Sequence, residues 1–367
     1  MEFESTVFEL HAGGTPLCRT PDGRVCFTDW GWPGEVVKLK VLSEKKNYVW
    51  AETLRVVQSS PFRRSSPCPH FGRMAGQCGG CSWSDIDENE QLRQKQLRVE
   101  SAIHRIAPEA AVAPIWGSEL SWAYRNRVQL KVTETQLGFV SSGTKVLAPI
   151  ENCLVCTDEL QSQIRELRQK LPNPKWKPTP PFHWNFLDLD DSQDLESVTI
   201  NTRAPFRQGN TGQNQRMKQW LRELQFQSDI TLELFAGSGN FTEILSQKAR
   251  DVLAVEISQE AVSQLRQWPR VRVFECDLFD RSAVPSLVKE LPDFDTLFLD
   301  PPREGASELR SFLRHSLKTV LYVSCDLLSF LRDAKLLLRS GFLLQSVQPV
   351  DLFPQTPHVE LLAKFER

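Results

Sequence analysis

ITLELFAGSGN, residues 230–240, starts as a strand and ends as a glycine loop. The next residues, FTEILSQKA, have helical spacing. Outward from there the two patterns alternate. DVLAVEI, VRVFECD, DTLFLD and TVLYVSCD read as strands, and AVSQLRQW and LLSFLRDAKLLLRS read as helices. A βαβ series of this kind predicts an open, mostly parallel, doubly wound sheet. Ligands of such sheets bind at the carboxyl ends of the strands, so the residue that ends each strand matters most.

The first strand ends in the loop of Gly237 and Gly239, where a ligand can approach the backbone and a helix N-terminus offers free N–H groups. Glu256 ends the next strand, and a carboxylate there suits a ribose diol. The loop is not a full G-x-G-x-x-G and lacks the Lys-Ser/Thr of a phosphate loop, which argues against ATP and weakens the case for NAD. S-adenosylmethionine, with a ribose and adenine but no phosphates, fits better. Asp277, at the end of the third strand, adds support. Asp300, in DPPR, ends the fourth as a polar group on a stiff proline loop, or as an incidental residue of a proline-capped strand. Methyltransferases acting on amines carry an aromatic residue after a similar motif; Arg303 stands there instead.

Cys325 ends the next strand and should face the same crevice. Its neighbours leave two readings, a buried thiol or a nucleophile. C5 of uracil is a poor nucleophile, and thiolate addition at C6 converts it to an enolate able to take a methyl group. A base must then remove the C5 proton. Glu360, in LFPQTPHVELLAKFE, is a carboxylate available for that step.

Beyond this domain, the 367 residues call for two or three domains, and 40% hydrophobic with 25% charged residues supplies a sizeable core. No apolar run approaches about 18 residues, so no transmembrane helix and no membrane partner is expected. The N-terminus lacks a signal-peptide layout, and a cytoplasmic monomer is expected. The net charge of −2 confines any nucleic-acid site to a local patch. In a reducing cytoplasm, nine cysteines suggest metal binding or catalysis before disulfides. Residues 1–60 read as short strands forming an OB-type barrel. Residues 61–200 form a central region rich in Pro, Gly and Cys at its start, and residues 201–367 carry the doubly wound sheet. Arg63, Arg64, Arg93, Lys95, Arg98, Arg125 and Arg127 form either a phosphate-tracking patch or a solvated face. Tyr124, Trp83 and Phe71 either stack bases or belong to the core.

Taken together, LELFAGSGNFT, VLAVEIS, LDPPREGA, YVSC and DLFPQTPHVE resemble the RNA uracil-5 methyltransferase family, enzymes that use S-adenosylmethionine to make 5-methyluridine in tRNA and 23S ribosomal RNA. The resemblance implies a Rossmann-like methyltransferase domain, Cys325 as the nucleophile and Glu360 as the proton-abstracting base. It places Gln208 (in PFRQGN), Phe235, Gly237, Asn240, Glu256, Asp277 and Asp300 at the cofactor site, with Asp277 the loosest match. Residues 1–60 resemble the family's RNA-binding TRAM domain. CPHFGRMAGQCGGC resembles the segment holding a [4Fe–4S] cluster in the ribosomal-RNA branch; Cys68, Cys78, Cys81 and Cys153 would be its ligands, with Cys156 the rival for the fourth place. Spacing alone suits a closed zinc site equally; the CGGC context and the resemblance favour iron–sulfur.

The chain departs from the family in four places. Nine residues separate Cys68 from Cys78. Ser-Cys-Asp replaces Ser-Cys-Asn, which puts Asp326 beside the thiol. Gly209 stands where valine is usual, and only about 50 residues separate Cys153 from PFRQGN. The expected substrate is a uridine of 23S ribosomal RNA. The alternatives are the tRNA T-loop uridine and a non-catalytic RNA-binding iron–sulfur protein.

Overall fold

The computed structural model describes residues 1–203 and 206–367. Pro205, the first residue of PFRQGN, lies outside them.

The first sheet contains β1 (Glu2–Thr6), β2 (Glu9–Leu10), β3 (Pro16–Arg19), β4 (Val25–Thr28), β5 (Val36–Glu44) and β6 (Tyr48–Gln58) in the order β1-β5-β6-β4-β3-β2. The outermost strands, β1 and β2, are halves of one segment broken at Val7 and Phe8. Val7 N donates to Glu35 O and Phe8 N to Leu17 O, so this segment joins both ends of the sheet and curls it around Val7, Cys18, Cys26, Val37, Leu39 and Val49. Strand alternation explains the curl: β6 is exposed at Tyr48, Trp50 and Glu52 and buried at Val49, Ala51 and Thr53.

Helix α1 (Glu88–His104) follows, capped by Asp87, whose Oδ1 accepts from the Asn89 and Glu90 amides. The short strand β7 (Ala111–Val112) joins the large sheet. A second sheet, ordered β10-β9-β8-β11, consists of β8 (Arg127–Val132), β9 (Leu137–Val140), β10 (Leu147–Pro149) and β11 (Asn185–Asp190). Between β10 and β11, α2 (Asp158–Gln169) packs Leu160, Ile164 and Leu167 against this sheet's core.

The remaining elements are α3 (Thr211–Glu223), β12 (Ser228–Leu234), α4 (Thr242–Lys248), β13 (Ala249–Glu256), α5 (Gln259–Leu265), β14 (Val271–Glu275), α6 (Val284–Glu290), β15 (Thr296–Leu299), β16 (Thr319–Ser324), α7 (Leu327–Arg339), β17 (Leu343–Val350) and β18 (Glu360–Glu366). The eight-stranded sheet runs β14-β13-β12-β15-β16-β18-β17-β7. The five strands from β14 to β16 are parallel, and β18 is antiparallel to both β16 and β17. Both faces are covered, so the central strands β15 and β16 are buried and almost wholly apolar. Leu297, Leu299, Val320 and Tyr322 face one core, and Phe298, Leu321, Val323 and Leu362 face the other. The sequence reading placed Asp277 at the end of β14; the strand stops at Glu275, and Asp277 belongs to the turn after it, where its Oδ1 accepts from Phe279 N (2.9 Å).

The basic stretch around α1 is not a phosphate-tracking face. Lys95 is fully buried and donates to Asp351 Oδ1 (2.5 Å) and Phe353 O (3.1 Å). Arg98 is buried and donates to Pro357 O (2.6 Å). Arg63 pairs with Glu35 and Asp85, and Arg127 with Asp188. Arg125 Nε donates to the Arg127 carbonyl, while Arg64 and Arg93 remain more exposed, paired with Asp87 and Glu90. Tyr124 and Trp83 are core residues. A buried charge persists only with a partner, and removing one partner of such a pair typically costs about 3–5 kcal/mol. The buried cations therefore hold the fold together, and the loop of residues 351–357 is the attachment of Lys95 and Arg98. Gln91 adds to the grip: its Nε2 donates to Gln355 Oε1 (2.9 Å) and its Oε1 accepts from Gln355 N (3.0 Å).

Candidate active site at the strand ends

Register brings the candidate residues to one edge of the large sheet. Leu234 pairs with both Val255 and Leu299, and Leu299 with Tyr322. Phe235, Glu256 and Asp300 therefore leave the sheet side by side, and Cys325 lies two residues further along, just past the end of β16. β18 enters from the opposite direction with Leu361 paired to Ser324, so Glu360 and Cys325 are the next neighbours along that ladder.

Glu256 organises the glycine loop. Its Oε2 accepts from Gly237 N (2.9 Å), and its Oε1 from Ile257 N (2.8 Å) and Ser258 N (2.9 Å). A Cβ at Gly237, where φ is +55°, would meet nothing within 4 Å, so the space over the loop is open. Phe235 holds a φ of 62°, unusual for an aromatic residue, and its ring lies 5.8 Å from that of Phe279. Ile257 and Phe279 are exposed apolar residues beside the carboxylate that ends β13. Sequence reading missed both, although each directly follows a strand-ending acid or its turn. Carboxylate, open loop and apolar flank together fit S-adenosylmethionine: Glu256 for the ribose hydroxyls, Gly237 for close backbone approach, Ile257 and Phe279 for the adenine.

Asn240 exchanges amide hydrogen bonds with Asn214 of α3 (3.0 Å each way). Gln208 is buried, and its carbonyl accepts from Asn126 Nδ2 (2.9 Å). A Cβ at Gly209 would lie 3.2 Å from the Phe353 ring, so a small residue fits where the family has valine.

Glu233 lies beneath the loop and accepts from the Thr242 hydroxyl (2.7 Å). Burial pushes its carboxyl from 4.5 to about 8. A raised acid favours folding while protonated; that contribution is intact below about pH 4.5 and is lost as pH rises through about 8. Glu233→Gln keeps a neutral acceptor there. Its melting temperature should match wild type near pH 5 and exceed it near pH 9. A wild type and variant that melt in parallel across that range would show Glu233 ionised in the fold.

Around the thiol the field is negative. Burial first, then Glu360 and Asp300, push the Cys325 thiol up to about 12, and Arg303 pulls it down. Asp326 has the smallest of these influences. Its role is local: it caps α7, with Oδ1 accepting from Ser329 N (2.7 Å), a place asparagine fills equally well. Burial raises Asp300 to about 7. Burial and Asp300 raise Glu360 well above the usual carboxylate range, again opposed by Arg303. Arg303 Nη2 lies 3.2 Å from His358 Nε2. A cationic donor entering this crevice would offset its carboxylates and favour the thiolate.

Elsewhere, Cys68, Cys78, Cys81 and Cys153 line one small cavity walled by Phe71, Phe139, Ile150, Leu154 and Val155. Cys156 is fully buried in the core of the second sheet and does not line the cavity, although its side chain hydrogen-bonds to that of Cys153. Among the described residues, no group of three or more His, Cys, Asp or Glu side chains is gathered as a metal site. The four thiols thus share a cavity without ligating geometry. Also among the described residues, no helix is long and apolar enough to cross a membrane.

The chain is similar to several known proteins. A family model described as conserved hypothetical protein 95 matches residues 214–321. An uncharacterized RNA methyltransferase of Nitrosomonas europaea is 36% identical, over 100% of this chain and 97% of that protein. The 23S rRNA (uracil(1939)-C(5))-methyltransferase RlmD of Pseudomonas putida is 30% identical, over 94% of this chain and 89% of that protein. In fold, the chain is similar to the tRNA (uracil-54, C5)-methyltransferase of Pyrococcus abyssi solved with S-adenosyl-L-homocysteine. The TM-score is 0.68, covering 99% of this chain and 100% of that one at 18% identity.

Proposed function

The chain belongs to the RNA uracil-5 methyltransferase family, and from that membership we propose that it methylates C5 of a specific uridine in 23S ribosomal RNA through a covalent Cys325 adduct. One observation carries the reading: Cys325 and Glu360 are ladder neighbours at the strand edge that also bears Glu256 and Asp300. Cys325 Sγ adds to C6 of the uracil, and the C5–C6 π electrons move onto C5 and O4. S-adenosylmethionine would supply the methyl group that C5 takes and would leave as S-adenosylhomocysteine. Glu360 removes the C5 proton, and the returning electron pair expels Cys325 as the thiolate. Asp300 and Arg303 tune both groups through their charges. The uridine must leave its stack to reach the strand edge. The reading puts the enzyme in the cytoplasm with its RNA.

The test is incubation of the full chain with labelled donor and 23S ribosomal RNA lacking the modification, then mapping of 5-methyluridine. Product in tRNA alone would transfer the reading to the T-loop. No product in either RNA would reject it.

We also propose a [4Fe–4S] cluster on Cys68, Cys78, Cys81 and Cys153, from the four thiols that line one cavity. Four thiols and apolar walls are the donor set such a cluster uses. The reaction proposed above uses no electron from it, so its place is structural. Anaerobically purified protein should show broad visible absorption together with iron and sulfide, and Cys81→Ser should lose all three. Bound zinc without sulfide would identify the bland alternative.

A further inference from the structure

Asp333 is a buried carboxylate that the reaction does not use. It stands on the inner face of α7 with Phe330, Ala334 and Leu337, where an apolar side chain would pack without desolvating a charge. Its bonds explain its presence. Oδ2 accepts from Ala306 N (2.8 Å) and from the Tyr322 hydroxyl (2.7 Å). Oδ1 accepts from Arg332 Nε (2.8 Å), and Arg332 Nη2 donates to Glu304 O (2.8 Å). One side chain thus joins three segments: helix α7, strand β16 just before Cys325, and the loop that follows β15.

That loop, residues 300–306, carries both Asp300 and Arg303. Pro301 and Pro302 have no N–H to donate, so the loop is tied down by the residues after them. It passes close to α7. Gly305 has a φ of +74°, and a Cβ there would lie 2.6 Å from Asp333 Oδ2 and 2.5 Å from Arg332 Nη2. On the other side, Arg303 Nη2 lies 3.2 Å from His358 Nε2. Burial, then Arg303, Lys95 and Arg98, push His358 down to about 4, so its ring is neutral and accepts that bond. His358 thus holds the guanidinium, and Asp333 holds the backbone that carries it.

We propose that Asp333 is a positioning residue: it fixes the 300–306 loop against β16 and so sets how close the Arg303 guanidinium stands to Cys325. The proposal rests on the reading of Cys325 as the nucleophile. The charged groups facing this thiol are Glu360 from β18, Asp300 and Arg303 from the loop, and Asp326 from the start of α7. Arg303 is the one cation of the four, so its distance governs how much thiolate forms. A loop released from Asp333 lets the cation drift toward solvent and leaves three acidic groups around the sulfur.

The experiment is alkylation of the full chain with iodoacetamide, with Cys325 followed in its own peptide by mass spectrometry. It needs no RNA. The reaction is run at about pH 9, where only a small fraction of so raised a thiol is ionised and the rate follows that fraction. Arg303→Gln should slow alkylation of Cys325 about tenfold or more, the usual influence of a nearby opposite charge. Asp333→Ala should slow it in the same direction. Gly305→Ala should do so too, because it crowds the loop off α7 while removing no charge; it tests the same contact if Asp333→Ala does not fold. Adding Asp333→Ala to Arg303→Gln should slow alkylation no further. A merely loosened fold would do the reverse, since an opened crevice exposes the thiol and speeds the reaction. Unchanged or faster alkylation in Asp333→Ala and Gly305→Ala, or a full further loss in the double variant, would overturn the proposal. The modification assay is separate: no 5-methyluridine from wild type, together with slowed alkylation in these variants, would reject the reaction and keep the positioning role.

Discussion

Cys325→Ala should lower 5-methyluridine formation by roughly four orders of magnitude or more, as removal of a covalent nucleophile does. In the proposed reaction the thiol is the group that activates C5, by addition at C6. Nothing else at this edge polarises the ring enough to replace that step. The second readout is covalent. RNA carrying 5-fluorouridine leaves fluorine where a proton should depart, so wild type should remain attached to it on a denaturing gel. Cys325→Ala should show no such band, while still binding S-adenosylhomocysteine through Glu256 and the glycine loop. Turnover by the alanine variant would reject the nucleophile.

Glu360→Gln should fail at the other end of the reaction. The adduct forms and C5 is methylated, but no carboxylate removes the C5 proton. Turnover should fall about 10²- to 10⁴-fold, the usual worth of a positioned base. Unlike wild type, this variant should accumulate protein–RNA adduct on ordinary uridine. Glu360 acts only when ionised, and burial with Asp300 raises its pKa, so wild-type turnover should climb toward alkaline pH. If Glu360→Gln lost turnover without accumulating adduct, Glu360 would act before methyl transfer and not after it. The two variants therefore separate the first covalent step from the last.

Much of this site was legible because it lies at strand ends. Alternating apolar segments fix where a strand stops, and Glu256, Asp300 and Cys325 stand at or just past those stops. Glu360 was legible through chemistry: a covalent adduct needs a base, and few carboxylates sit just before a final strand. α1 was illegible. ENEQLRQKQLRVESAIH is mostly polar, so it reads as a solvated helix, yet Glu90, Gln91, Gln94, Lys95 and Arg98 are buried. The partners of Gln91, Lys95 and Arg98 lie in a loop near the other end of the chain, and Glu90 accepts from Trp32 of the first sheet's segment; periodicity within one segment carries no trace of a distant partner. The same limit hid the break at Val7 and Phe8 that curls the first sheet. The choice between Cys153 and Cys156 was open for another reason: the two are close in sequence, and only packing puts one at the cavity and the other in the core.

The grip of α1 on the loop before Glu360 also sets an order of events. Lys95 and Asp351 are 256 residues apart in sequence. Closing so long a loop is slow, and it can happen only after nearly the whole chain has left the ribosome. The glycine loop and Glu256 are synthesised well before that. A growing chain can therefore assemble its donor pocket while the carboxylate that completes the cycle has yet to be synthesised. Chemistry on RNA begins only once the first third of the molecule has caught the last.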